Sequence, residues 1–377
     1  MTNPQDSTHT DHHGEDLPVL SKSATKMKMD KLLSTPMPSF DGNTPGSFVW
    51  SNIAFWIARR ILAVQFRTSE VTGTETLPLD RGNLCCAWHT NGLMDPLQIV
   101  LKHPNNFVMG GRHDLVTRPF LGWWTRKLAV QPVVRKAELL RGGCSEEEAT
   151  QINGRSLLML AQGISAGFGC VLFPEGTSHN DSSMLRFRTG PFRTVFAAAA
   201  IAKSEGKPIP AVIPTGLHFR RRDHFRTDVW IEYGPPHSLQ AEDIPNDLVE
   251  AVSKGNWVEP AAENVYALRD ALRLQLTPMT PNAHDWDENN ALHILGHVES
   301  RRANQPLLSW KQEVEAARVF RTLLQPPLSD EKIIDNSELP VITSPAIKPA
   351  KAVSGLLQAQ QLDRRHFQAS VHNFTNG

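Results

Sequence analysis

Hydrophobic positions divide the chain into stretches of different period. Residues 47–67 are apolar around most of a helical circumference, through Phe48, Trp50, Ile53, Trp56, Ile57 and Leu62, with Arg59, Arg60 and Arg67 toward the C-terminal end. The pattern predicts an apolar helix within 46–70, too short and too interrupted to span a bilayer comfortably. Its Trp and Phe with flanking Arg suit the headgroup boundary of a membrane; a helix buried against a domain would use the same residues. From Val71 onward short apolar runs at 84–88, 106–109, 130–134, 170–173, 211–215 and 229–233 read as strands. Helical patterns lie between them. Ser145 with Glu148 forms a capping box before Leu157, Leu158 and Leu160, and Pro191 opens a segment that ends near Gly206. Further helices are expected at 261–276, 288–301 and 309–324. The alternation predicts an α/β fold: a mixed, largely parallel sheet flanked by helices, with an N-terminal apolar helix and a helical C-terminal extension.

The flanks read differently. Residues 1–45 are polar and are expected to be a disordered tail, followed by the apolar helix at 46–70, an α/β domain at 71–285 and a helical extension at 286–325. Residues 326–377 are rich in Ser, Pro and Lys and are expected to be loosely ordered, 353–367 alone showing some periodicity.

Composition narrows the function classes. Lys+Arg and Asp+Glu both number 39, so no global field recruits nucleic acid and recognition of charge must be local. The 4 cysteines show neither zinc spacing nor a disulfide framework, which fits a reduced, cytosolic chain. The polar N-terminus carries no signal-peptide pattern. His9, Asp11, His12 and His13 could gather around a metal, but a solvated tail explains them and no metal site is assigned.

Candidate chemistry centres on Cys85-Cys86-Ala87-Trp88-His89-Thr90-Asn91-Gly92-Leu93-Met94-Asp95-Pro96. His89 stands at the end of a buried strand. Asp95-Pro96 reads as an N-cap and first helical position, and Asn91-Gly92 permits a sharp loop between. A carboxylate on one imidazole nitrogen fixes the tautomer and leaves the other to take a hydroxyl proton. No Gly-x-Ser-x-Gly elbow is present, so the hydroxyl would belong to the substrate. The competing reading makes Asp95 a helix cap and His89 a loop histidine.

Other polar stations lie at strand ends. Phe173-Pro174-Glu175-Gly176-Thr177-Ser178-His179 leaves one strand, with Arg186, Arg188 and Arg193 soon after; arginine is a natural partner of phosphate. Val133-Val134-Arg135-Lys136 leaves another, preceded by Trp123 and Trp124 beside Arg126 and Lys127. Arg220, Arg221 and Arg222 follow Pro214-Thr215-Gly216, and three adjacent cations are expected to form a solvated face.

The stations His89…Asp95, Pro132-Val133-Val134-Arg135, Phe173-Pro174-Glu175-Gly176 and Val212-Ile213-Pro214, in this order, resemble the glycerolipid acyltransferase family. The longer His-to-Asp spacing, with Asp-Pro after the loop, is similar to the fungal-type glycerol-3-phosphate/dihydroxyacetone-phosphate acyltransferases. Ala129 stands where that pattern often has Gly, Gln131 replaces an apolar residue, and Arg188 stands where Lys is usual.

The resemblance implies transfer of a fatty acyl group from acyl-CoA or acyl carrier protein to a hydroxyl of a phosphorylated glycerol, in phospholipid synthesis. His89 would be the general base and Asp95 its orienting partner. Arg135 and Arg188 would meet the acceptor phosphate, Glu175 and Gly176 would shape the acceptor pocket, and Thr177 and Pro214 would lie with them in the substrate site. No metal or bound cofactor is implied, since the thioester is already activated. The expected place is the cytoplasmic side of a membrane, as a peripheral or monotopic protein. Lysophosphatidic acid acylation uses the same stations. A non-catalytic lipid-binding or membrane-docking module and a hydrolase are the readings from other classes.

Overall fold

The computed structural model describes residues 27–134 and 144–367. Arg135 and the cluster at 9–13 lie outside the described residues.

The strands are β1 (Phe66–Thr72), β2 (Asn83–Ala87), β3 (Phe107–Val108), β4 (Gly110–Arg112), β5 (Gln131–Val133), β6 (Gly169–Leu172), β7 (Ala211–Phe219), β8 (Thr227–Tyr233) and β9 (His237–Ser238). A seven-stranded sheet runs β1-β8-β7-β2-β6-β3 with β9 beside β7, and β4 and β5 form a separate parallel pair. Pairing is parallel at β1–β8, β2–β6, β2–β7 and β3–β6, and antiparallel where β7 meets β8 and β9. The chain is thus a mixed α/β fold with a largely parallel sheet. Leu84, Cys85, Cys86 and Ala87 of β2 are all fully buried, which is why this strand reads as an unbroken apolar run.

The first helices are α1 (Met29–Leu33), α2 (Phe48–Gln65), α3 (Met94–Lys102), α4 (His113–Thr117), α5 (Pro119–Lys127), α6 (Glu146–Ser165) and α7 (Gly190–Ser204). They are followed by α8 (Asn246–Ser253), α9 (Ala262–Leu276), α10 (Trp286–Arg302), α11 (Trp310–Leu324), α12 (Asp330–Ile334) and α13 (Ile347–Ala359). The capping box before α6 is present, Ser145 Oγ accepting from Glu148 N at 3.1 Å and Glu148 Oε2 from Ser145 N at 2.9 Å. In α7 the fully buried run Ala197–Ala200 brings the helix close to α6 and to β2, because methyl side chains keep backbones near one another.

Pro214 sits in the middle of β7, where a missing N–H ordinarily breaks a ladder. On the side facing β8 and β9, β9 pairs with Ala211 and Val212, and β8 pairs from Thr215 onward. Pro214 falls in the gap between the two, and its carbonyl accepts Gly234 N at 2.8 Å.

Four expectations are corrected. The apolar helix ends at Gln65, and Phe66 starts a strand. Arg67 therefore lies in the sheet, bonded through Nε and Nη2 to the buried Asp228 at 3.0 Å each, and is no headgroup cation. Residues 27–45 are held: Leu32 is buried with Val116, Val130 and Val134, and Arg126 donates to the carbonyls of Lys31 and Ser34 at 2.9 and 2.8 Å. A polar average hides one anchoring leucine and backbone carbonyls captured by distant arginines. The expected loose C-terminal tail is packed through residue 367, Ile342, Ile347 and Ala350 forming a core with Leu292 and Ala317. The arginine run 220–222 is not a solvated face, since Arg220 is buried.

Candidate active site

The central strand β2 delivers His89 to its C-terminal edge. The His89 ring stacks on Phe173 with centroids 3.8 Å apart and planes 15° from parallel, and its side chain is 13% exposed. Its Nδ1 lies 3.0 Å from Asp95 Oδ2, whose side chain is fully buried. A carboxylate only accepts, so Nδ1 carries the hydrogen and the Nε2 lone pair is left for another partner.

Asp95 does not cap its helix. Helix α3 begins at Met94, and Asn91 takes the capping role, its Oδ1 accepting from Leu93 N and Met94 N at 3.1 Å each. Asp95 instead turns back into the loop, where Oδ2 also accepts from Thr90 N at 2.7 Å and Asn91 N at 2.8 Å. The carboxylate thereby fixes both the ring of His89 and the backbone behind it.

A second carboxylate grips the same histidine from the next strand. Glu175, after β6, accepts His89 N on Oε2 at 2.6 Å; its Oε1 accepts Leu185 N at 2.7 Å and faces His179 Nε2 at 2.8 Å. His179 N in turn donates to His89 O at 3.0 Å. Glu175, expected to shape the acceptor pocket, is buried with its oxygens engaged within the protein. It acts on the site through the position of His89.

Gly176 N donates to Phe173 O at 3.0 Å, closing the turn, and Gly176 has φ 71°, a conformation that favours glycine. A Cβ there would lie 3.4 Å from Arg188 Cγ. Arg188 N donates to Pro174 O at 2.6 Å, so this half-buried arginine is tied to the exposed Gly176 turn. Thr177 is half-buried beside it. Pro214, expected in the substrate site, is buried within β7 opposite Cys86.

Ala129 adopts φ 56°, which accounts for the glycine preference at that position. Gln131, fully buried, donates to the carbonyls of Ala129 and Pro36 at 2.8 and 3.1 Å, so the polar residue at an apolar station anchors the N-terminal segment. Sequence reasoning missed Phe173, His179 and Arg222 as supports of His89. Arg222 donates to the carbonyls of Thr90 and His179 at 3.3 and 3.0 Å. Phe173 and His179 lay in the Phe-Pro-Glu-Gly-Thr-Ser-His run and Arg222 in the arginine run, but nothing local tied any of them to His89.

A thiol nucleophile from β2 or β6 does not fit the geometry. Cys85, Cys86 and Cys170 are fully buried, and burial pushes the Cys85 thiol up to about 12. The arrangement suits general-base activation of a hydroxyl that arrives from outside.

Residues 68–215 match the family model described as Acyltransferase. This stretch is similar to glycerolipid acyltransferases. The chain is 29% identical over 171 residues to glycerol-3-phosphate O-acyltransferase 2 of Saccharomyces cerevisiae, a match that covers 45% of this chain and 21% of the yeast protein. The chain thus aligns with about a fifth of that relative's length. The 1-acyl-sn-glycerophosphate (LPA) acyltransferase PlsC of Thermotoga maritima superposes with TM-score 0.35 at 19% identity, over 55% of this chain and 78% of that one. The matched acyltransferase stretch contains His89, Asp95, Arg135, Glu175, Gly176, Thr177, Arg188 and Pro214. Helices α10 to α13 lie beyond it.

Proposed function

We propose that this acyltransferase moves a fatty acyl group from an acyl thioester, acyl-CoA or acyl carrier protein, to a hydroxyl of glycerol-3-phosphate or dihydroxyacetone phosphate. The observation that carries the reading is the His89–Asp95 pair, held at 3.0 Å with Nε2 left to accept. The acceptor hydroxyl gives its proton to Nε2 as its oxygen attacks the thioester carbonyl. The tetrahedral adduct collapses, the C–S bond breaks, and the proton passes to the departing thiolate. The Asp95 carboxylate stabilises the imidazolium between these steps. Arg188, and Arg135 outside the described residues, meet the acceptor phosphate, while Gly176 and Thr177 border it. The chemistry asks for no metal or bound cofactor, because the thioester supplies the activated carbonyl.

The site of action in this reading is the cytoplasmic side of a membrane, with the protein peripheral or monotopic. No described helix is long and apolar enough to cross a membrane. Helix α2 exposes Phe48, Val49, Trp56, Ile61 and Val64, and Trp50 meets Trp123 and Trp124 of α5 edge-on at 5.0 and 5.6 Å. Phe120, 78% exposed, extends the same apolar surface, a size and composition that fit a lipid boundary.

Thiol release decides the substrate. The purified chain is offered glycerol-3-phosphate, dihydroxyacetone phosphate or lysophosphatidic acid, each with acyl-CoA or acyl carrier protein. Turnover with either of the first two acceptors is expected. Turnover restricted to lysophosphatidic acid overturns the acceptor, and release with water alone makes the protein a hydrolase.

A further inference from the structure

A cavity of about 520 Å³ lies away from the His89 ring, between the end of β7 and helices α10, α11 and α13. Trp88 and Thr90, the neighbours of His89 in sequence, form part of its wall. Arginines dominate its polar lining, and some of them are matched by acids. Arg220 meets Asp228, Glu313 and Asp363 at 2.9, 2.8 and 3.4 Å, Arg318 meets Glu232 at 2.5 Å, and Arg364 meets Glu313 at 2.7 Å.

Others are not matched. Among the described residues Arg221, Arg222 and Arg321 form no ion pair, although all three line the cavity. Arg321 is buried and donates to the carbonyls of Pro281 at 2.6 Å and Pro278 at 3.0 Å, and to that of Thr280. Arg222 likewise donates to the carbonyls of Thr90 and His179 and to the side chain of Asn180. Such acceptors satisfy N–H groups and leave the positive charge uncompensated. Burial, then the neighbouring Arg318, lowers Arg321 only to about 10, so it is a cation at neutral pH. Arg220, its side chain 1% exposed, also keeps Nη2 without a hydrogen-bond partner. Enclosed cations without counter-charge are costly, and the planar guanidinium fork matches phosphate oxygens. The remaining wall is apolar and aromatic, including Phe219, Trp286 and Leu357.

We propose that this cavity is a binding site for a phosphate ester, its phosphoryl group met by Arg221, Arg222 and Arg321 and its remainder lying against the aromatic wall. The inference rests on the acyltransferase reading only for the choice of ligands, since the donor thioester's carrier and the glycerol acceptor both bear phosphate. Arg222 joins the site to the backbone of Thr90 and His179, so an occupant bears on the loop that holds His89.

The test is calorimetric titration of the full chain, at low ionic strength, with coenzyme A, glycerol-3-phosphate and inorganic phosphate. Saturable binding of at least one probe is expected, weakened tenfold or more in Arg221→Gln and Arg321→Gln. Arg321 ties carbonyls together, so Arg321→Gln can unfold the chain; Arg221→Gln, whose native side chain makes no hydrogen bond or ion pair among the described residues, keeps the test valid. Binding of coenzyme A alone assigns the site to the donor, and binding of glycerol-3-phosphate alone to the acceptor. Binding of none of the probes overturns the proposal, as does binding that is unchanged in Arg221→Gln. Absence of thiol release by the wild type would sink the acyltransferase reading and leave these binding results standing.

Discussion

Single residues near the site divide into those placed to touch substrate and those placed to hold them. His89→Ala removes the proposed base and no hydrogen bond that closes the fold except the one to Asp95. It is expected to lower kcat by ~10²–10⁴-fold with a near-native melting curve. Glu175→Gln changes no substrate contact, yet it asks a buried amide to replace a carboxylate that serves His89 N, Leu185 N and His179. A buried donor left unpaired costs about 1–3 kcal/mol, so this variant should lose both melting temperature and kcat. Equal stability in Glu175→Gln and wild type would mean that Glu175 is not the pin of the loop. For Arg188→Ala, loss of one charge-assisted bond of roughly 1.5–3 kcal/mol should depress kcat/KM for a phosphorylated acceptor about tenfold to a hundredfold. Steady-state kinetics with each substrate varied in turn checks it: an effect confined to the thioester KM moves Arg188 to the donor.

At the scale of elements, α2 tests the membrane reading. Its outer face carries Trp56, 58% exposed, while Trp50 packs on α5. Trp56→Glu with Ile61→Glu should release the protein from anionic vesicles without lowering its melting temperature, whereas Trp50→Ala should destabilise it. Vesicle flotation and thermal melting together decide; a wild type that stays off anionic vesicles at low salt refutes the interfacial role. The segment ending in α1 is of the other kind. Removal of residues 27–45 takes away buried Leu32 and the carbonyls that accept from Arg126 and Arg155, and should lower the melting temperature.

For the whole molecule, buried histidines set the response to acid. Burial holds His103, His218 and His293 down at about 4, below the ordinary value near 6.5. Between about 4 and 6.5 the unfolded chain binds protons that the folded chain refuses, so stability is full above pH ~6.5 and falls as pH drops toward 4. Glu232 extends the loss below that range. Burial alone would raise it, but contacts from His218 and Arg318 outweigh burial and leave it at about 2. Melting curves from pH 7 to 4 should therefore fall, and His103→Gln should flatten the fall. A melting temperature constant across this range would contradict the buried, neutral state of these rings.

The sequence by itself determined the parts that depend on neighbours along the chain. The alternation of apolar runs, the Ser145–Glu148 capping box, the start of α7 at Gly190-Pro191 and the proximity of His89 to Asp95 are all local, so period and spacing carry them. Tertiary structure decided what depends on distant partners. Arg67 and Phe66 leave the helix because β8 offers a strand edge and Asp228. Residues 326–367 order because α10 and α11 present an apolar face to Ile342, Ile347 and Ala350. Asp95 gives up the cap because the backbone of its own loop folds around its carboxylate. Glu175 reads only as part of a Pro-Glu-Gly turn in a one-dimensional motif, and parallel pairing of β2 with β6 brings His89 N to its oxygens. The arginine run 220–222 is polar in sequence and enclosed in space, since helices far along the chain close over the end of β7. Charge reads as solvated surface until the fold supplies its lid.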